Sequence, residues 1–126
     1  MEVTTVLVGG VVVVKLSGEL RSREDIASEF WTYLHRGVAR FVVNFENVRM
    51  VNSVGLSALL EFKRLAEAAG GGVVLCGIDG DVANVMRVTR LDQVFTVHED
   101  EDIALAAYIE GLPVLNSDSS ISRYRN

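Results

Sequence analysis

Three segments decide the fold: Phe41-Val42-Val43-Asn44-Phe45, then, after a gap of five residues, Val51-Asn52-Ser53-Val54-Gly55-Leu56, then 57–69, Ser-Ala-Leu-Leu-Glu-Phe-Lys-Arg-Leu-Ala-Glu-Ala-Ala. The first is β-branched and apolar on both faces, which predicts a central strand over 39–45. The last is rich in good helix formers. Asn52 stands where an N-cap is needed, because its side-chain oxygen can accept from the N–H groups of a first helical turn. Ser53 then falls in that turn, where orphan N–H groups and the helix dipole favour negative charge. A hydroxyl so placed is a natural position for adding or removing a phosphate.

Working outward, Val3 to Val8 and Val11 to Leu16 read as strands joined by Gly9-Gly10. Paired glycines are a hairpin signal, since two-residue turns need positive φ. Ser17 to Ser22 reads as a loop. Ser22, with Asp25 three residues on, forms an approximate capping box for a helix over 23–36. That helix carries Ile26, Phe30, Tyr33 and Leu34 on one side and stops at Gly37. Gly70-Gly71-Gly72 ends the helix that follows Ser53. A fourth strand over 73–77, a short helix over 82–89, an edge strand over 95–97 and a last helix over 100–110 complete the order ββαβαβαβα. Strands alternating with helices after an opening hairpin predict an α/β domain with a mixed sheet of four to five strands. Right-handed crossovers would place the first three helices on one face. The domain is expected to span 1–112. Pro113 stops the last helix, and the serine-rich stretch 113–126 predicts a disordered tail.

The length of 126 residues suits one core, and 49% apolar with 23% charged residues is an ordinary globular balance. A net charge of −5 argues against nucleic acid. The densest basic stretch, Arg21-Ser22-Arg23, runs straight into Glu24-Asp25, so no basic face is evident. Cys76 is the single cysteine, which fits a reducing compartment, and its apolar neighbours Val73, Val74 and Leu75 mark it as a core residue. No charged start with a cleavage site is evident, and no apolar run approaches the ~20 residues that span a bilayer. A cytoplasmic protein without membrane insertion is expected. One cysteine and two distant histidines, His35 and His98, are too few for a metal site. The triple glycine follows a helix and lacks a trailing Gly-Lys-Ser/Thr, so it reads as a turn rather than a phosphate cradle. No cofactor is expected.

At this point the residues resemble a family. Ser17-Gly18-Glu19-Leu20, a helix, Phe41 to Phe45, then Val51 to Leu56 are similar to the STAS domain, and within it to the bacterial anti-sigma factor antagonists. The passage Val85-Met86-Arg87-Val88-Thr89-Arg90-Leu91-Asp92-Gln93-Val94-Phe95 resembles a segment that family members carry before their last strand. The resemblance covers about residues 3 to 111. It implies a STAS-like mixed sheet and a partner switch without catalytic residues. The serine at the position of Ser53 is phosphorylated by an anti-sigma factor that is also a serine kinase. The unphosphorylated antagonist binds that kinase and frees the sigma factor, and a serine phosphatase resets the cycle. The pattern departs from the family at four positions. Asn52 stands for an Asp, Val54 for a small residue, Asn44 for an Asp and Arg21 for an Asp. These exchanges imply a partner of different charge pattern.

The partner surface expected from this reading surrounds the helix start. It comprises Asn52, Ser53, Val54 and Leu56, the helix face with Ser57, Glu61 and Arg64, and the loop at Glu19 and Arg21. Two other readings compete. One is a STAS scaffold or adaptor in a larger signalling or transport assembly, with Ser53 never modified. The other is a small serine hydrolase, since Ser53-Val54-Gly55 matches the end of a nucleophile elbow. Val51 replaces that motif's first glycine, and neither histidine sits in a triad context.

Overall fold

The computed structural model describes residues 1–109 of the chain. The expected tail from 113 onward lies outside them. Strand β1 (Glu2–Val8) and strand β2 (Val11–Leu20) form the opening hairpin, paired antiparallel from Glu2↔Ser17 to Val8↔Val11. Gly9 and Gly10 close it at φ +56° and +80°, the positive values that a two-residue turn of this twist demands. A 3₁₀ turn (Arg23–Asp25) and helix α1 (Ala27–Leu34) lead to strand β3 (Arg40–Val51). Helix α2 (Ser53–Ala68), strand β4 (Gly72–Cys76), helix α3 (Gly80–Val88), a second 3₁₀ turn (Leu91–Gln93), strand β5 (Thr96–His98) and helix α4 (Glu101–Ile109) follow. The five strands stand in the order of the chain, β1-β2-β3-β4-β5, with every pair after the first parallel.

The two faces of the sheet are covered differently. Val12, Val14, Phe41, Val43 and Leu75 share one core with Phe30 of α1, Leu59 and Phe62 of α2 and Met86 of α3. Val11, Val13, Val42 and Cys76 point the other way and pack against Ala104 of α4. The first three helices therefore lie on one face, as right-handed crossovers require. Burial on both sides explains why Val11 to Val14 and Phe41 to Val43 are continuous apolar runs rather than alternating ones. Phe30 is the aromatic hinge of the main core, with ring centroids 4.5 Å from Phe41 and 4.8 Å from Phe62.

Two expectations need correction. Strand β2 continues to Leu20 and β3 to Val51, where the sequence had suggested ends at Leu16 and Phe45 and a loop between Ser17 and Ser22. Register shifts after Lys15 and after Gly18 break the alternation that marks a strand, yet pairing resumes as Ser17↔Asn47 and runs to Leu20↔Val51. Buried Leu20, Val48 and Val51 hold this extension to the core. The helix expected over 23–36 is split at Ile26, whose backbone (φ −128°, ψ −11°) is not helical. Its side chain is fully buried, and Asp25 before it is occupied by the backbone N–H groups of Arg21 and Ser22.

Candidate functional site

The extension of β3 brings Ser53 directly to the end of a strand, with Asn52 the single residue between sheet and helix. Asn52 is tied on both sides. Its N–H donates to the Leu20 carbonyl at 3.2 Å, which closes the β2–β3 ladder. Its Oδ1 accepts from the Gly55 N–H at 2.9 Å, and its carbonyl accepts from the Leu56 N–H at 3.0 Å. The expected N-cap is thus in place. Gly55 lets the first turn of α2 lie against β2. A Cβ there would stand 2.5 Å from the Leu20 carbonyl oxygen, closer than any side chain tolerates.

Ser53 and Val54 face solvent at this tight junction. Val54 is 55% exposed, an apolar side chain beside the hydroxyl. Ser57 and Arg64 are also exposed along α2. Leu56 is not part of this surface: it is 3% exposed and packs in the main core, because position 56 falls on the inward stripe with Leu59. Glu61 is reachable but engaged. Arg23 donates to its two carboxylate oxygens at 2.9 and 3.3 Å, and the guanidinium lies 5.4 Å from the Phe62 ring centroid. The Arg23 hydrogen bond holds the Glu61 carboxyl below its ordinary range. This bond ties the 3₁₀ turn to α2 across a gap of 38 residues, which no local pattern signals.

Glu19 and Arg21 meet at the end of β2, with Arg21 Nη2 at 2.8 Å from Glu19 Oε1. Arg49 of β3 reaches the other oxygen of the same carboxylate at 3.9 Å. The three side chains border a shallow depression of about 440 Å³. Arg49 lies past Phe45, the strand end expected from the sequence; the β2–β3 pairing is what sets it beside Glu19. Asp25 accepts from the N–H of Arg21 at 2.9 Å and of Ser22 at 3.0 Å, and the Arg21 bond is the main reason its carboxyl is held below the usual range.

Asn44 uses both ends of its amide. Its Oδ1 accepts from the Glu46 N–H at 2.8 Å, and its Nδ2 donates to Glu101 Oε1 at 3.0 Å. A carboxylate could not donate to Glu101. The exchange fastens α4 to β3, assisted by Lys15 at 3.8 Å from the same Glu101 oxygen.

The histidines stand apart from Ser53. His98 is on β5, two strands from β3, and His35 follows α1, at the end of the sheet where β3 begins. No helix among the described residues is long and apolar enough to cross a membrane.

Comparison with known proteins agrees with this geometry. The chain is 26% identical over 104 residues to an anti-sigma F factor antagonist of Paenibacillus polymyxa, covering 76% of this chain and 85% of that one. Its fold resembles SpoIIAA in its unphosphorylated form with a TM-score of 0.69 at 22% identity, over 88% of this chain and 100% of that one. The phosphorylated form of SpoIIAA, a Bacillus cell fate determinant, gives a TM-score of 0.66 at 22% identity, over 85% and 99% of the two chains. An anti-sigma-factor antagonist domain protein from Planctomyces limnophilus gives 0.69 at 18% identity, over 83% and 96%. The STAS domain family matches residues 2–104, spanning all five strands, and the chain belongs to that family.

Proposed function

We propose that this chain is an anti-sigma factor antagonist that works by partner switching, with Ser53 as the switch. The observation that carries the reading is the exposed hydroxyl of Ser53 at the capped start of α2, beside exposed Val54. Unmodified, that surface offers an apolar side chain and small polar groups to an anti-sigma factor that is also a serine kinase. A phosphate on Ser53 adds about −1.5 to −2 charge and three strong acceptors. Packing a partner over it without a cation costs several kcal/mol, enough to change affinity by orders of magnitude. The backbone need not move, because the N–H groups at a helix start accommodate an anion. A serine phosphatase would restore binding. The protein acts as substrate and binding module, not as a catalyst.

The contact surface in this proposal is Glu19, Arg21, Asn52, Ser53, Val54, Ser57 and Arg64. Glu61 contributes through its pair with Arg23, and Leu56 is left to the core. The test is phosphosite mapping by mass spectrometry on protein isolated from its native cells, in growth and under stress. Phosphate on Ser53 whose occupancy changes with condition is the expected result. Ser53 unmodified under every condition would overturn the switch and leave a STAS scaffold.

A further inference from the structure

The end of β2 runs beside the start of α2. Leu20 pairs with Val51 in parallel register, and the Asn52 N–H reaches the Leu20 carbonyl at 3.2 Å. Adjacent strands stand about 4.8 Å apart, so Arg21, the residue that follows β2, leaves the sheet next to Asn52, one step from Ser53. That separation is well within the length of an arginine side chain. The Arg21 side chain is exposed and, among the described residues, pairs with Glu19 at 2.8 Å. Glu19 has a second cation in reach, Arg49 at 3.9 Å. On the same segment, Arg23 is engaged by Glu61 through two bonds, and Asp25 by the N–H groups of Arg21 and Ser22.

We infer that Arg21 leaves Glu19 and pairs with the phosphate when Ser53 is phosphorylated, while Arg49 takes over Glu19. This deepens the switch proposed above and rests on phosphorylation of Ser53. The exchange is electrically economical. A phosphate dianion attracts a guanidinium more strongly than a single carboxylate does, and it accepts the guanidinium fork with two oxygens. Exposed ion pairs such as Arg21–Glu19 are weak and easily exchanged. Glu19 is not left unpaired, because two arginines already share it. Arg21 therefore masks part of the charge that phosphorylation adds, and sets how strongly a partner feels the switch.

The experiment installs phosphoserine at position 53 by codon suppression, so that no kinase is needed, and titrates it by phosphorus NMR. The second ionisation of phosphoserine lies near pH 6. A paired guanidinium favours the dianion, so the folded chain is expected to titrate about half a pH unit lower than its Arg21→Gln variant, the size of shift an exposed pair supports. Arg21→Lys should keep part of the shift. Arg40→Gln, at the opposite end of β3, should titrate like the parent chain. Identical titrations of the parent and Arg21→Gln would overturn the inference. An unmodified Ser53 in cells would instead overturn the switch and leave this result standing, so the two failures are distinguishable.

Discussion

Gly55 is the residue on which the geometry of the site turns. Replacing it by alanine would gain up to about 1 kcal/mol of helix propensity. Against that stands a Cβ placed 2.5 Å from the Leu20 carbonyl oxygen, with the Leu20 Cγ at 2.8 Å. The obstacle is backbone in a paired strand, which cannot swing aside, and overpacking of this kind costs about 1–3 kcal/mol. The clash wins. Gly55→Ala is expected to lower stability by about 1–2 kcal/mol in urea unfolding. Because the Gly55 N–H is also the donor to Asn52, the variant should loosen the turn that presents Ser53. Hydrogen exchange at residues 55 and 56 would rise in the variant if the two effects are coupled.

At the scale of elements, one carboxylate braces the backbone of the segment between β2 and α1. Asp25 caps its own turn through the N–H groups of Arg21 and Ser22, and these bonds, the Arg21 bond foremost, keep its folded pKa below the ordinary value. A depressed carboxyl contributes stability that is present above the unfolded pKa, near 3.9, and disappears as pH falls through the folded value. Asp25→Ala should therefore cost about 1 kcal/mol at pH 7, as loss of a helix cap does. The difference from the parent should shrink below about pH 4, read from urea midpoints across pH. This capping box was legible in the sequence from Ser22 and Asp25, as were the hairpin, the N-cap at Asn52 and the glycine stops. What was not legible arose from distant pairing. The ladder Ser17↔Asn47 to Leu20↔Val51 is polar and bulged, so its period is hidden. The Arg23–Glu61 bond and the sharing of Glu19 by Arg21 and Arg49 exist only once β2, β3 and α2 are assembled. Closeness to Ser53 along the chain suggests a surface position for Leu56, whereas its helical phase with Leu59 places it in the core.

For the molecule as a whole, the surface at Ser53 is as firm as the aromatic core beneath α2. Phe62 stacks on Phe30 at 4.8 Å, meets the edge of Trp31 at 5.7 Å and lies under the Arg23 guanidinium. Truncating such a residue costs about 3–5 kcal/mol, a large share of the 5–15 kcal/mol that holds a typical domain. Phe62→Ala is accordingly expected to lower the thermal midpoint by well over ten degrees, followed by circular dichroism. The opposite face is thinner, covered by α4 through Ala104, Leu105 and Tyr108. There Cys76 lies buried on β4, and burial, with the charges of Glu101, Asp100 and Glu46, pushes its thiol up to about 12. Alkylating reagents attack the thiolate, so the chain's single cysteine stays silent toward them at neutral pH. A cysteine introduced at exposed Ser57 would then be the one thiol to take a dye. The arrival of a partner beside Ser53 could be followed by fluorescence in a chain that needs no other alteration.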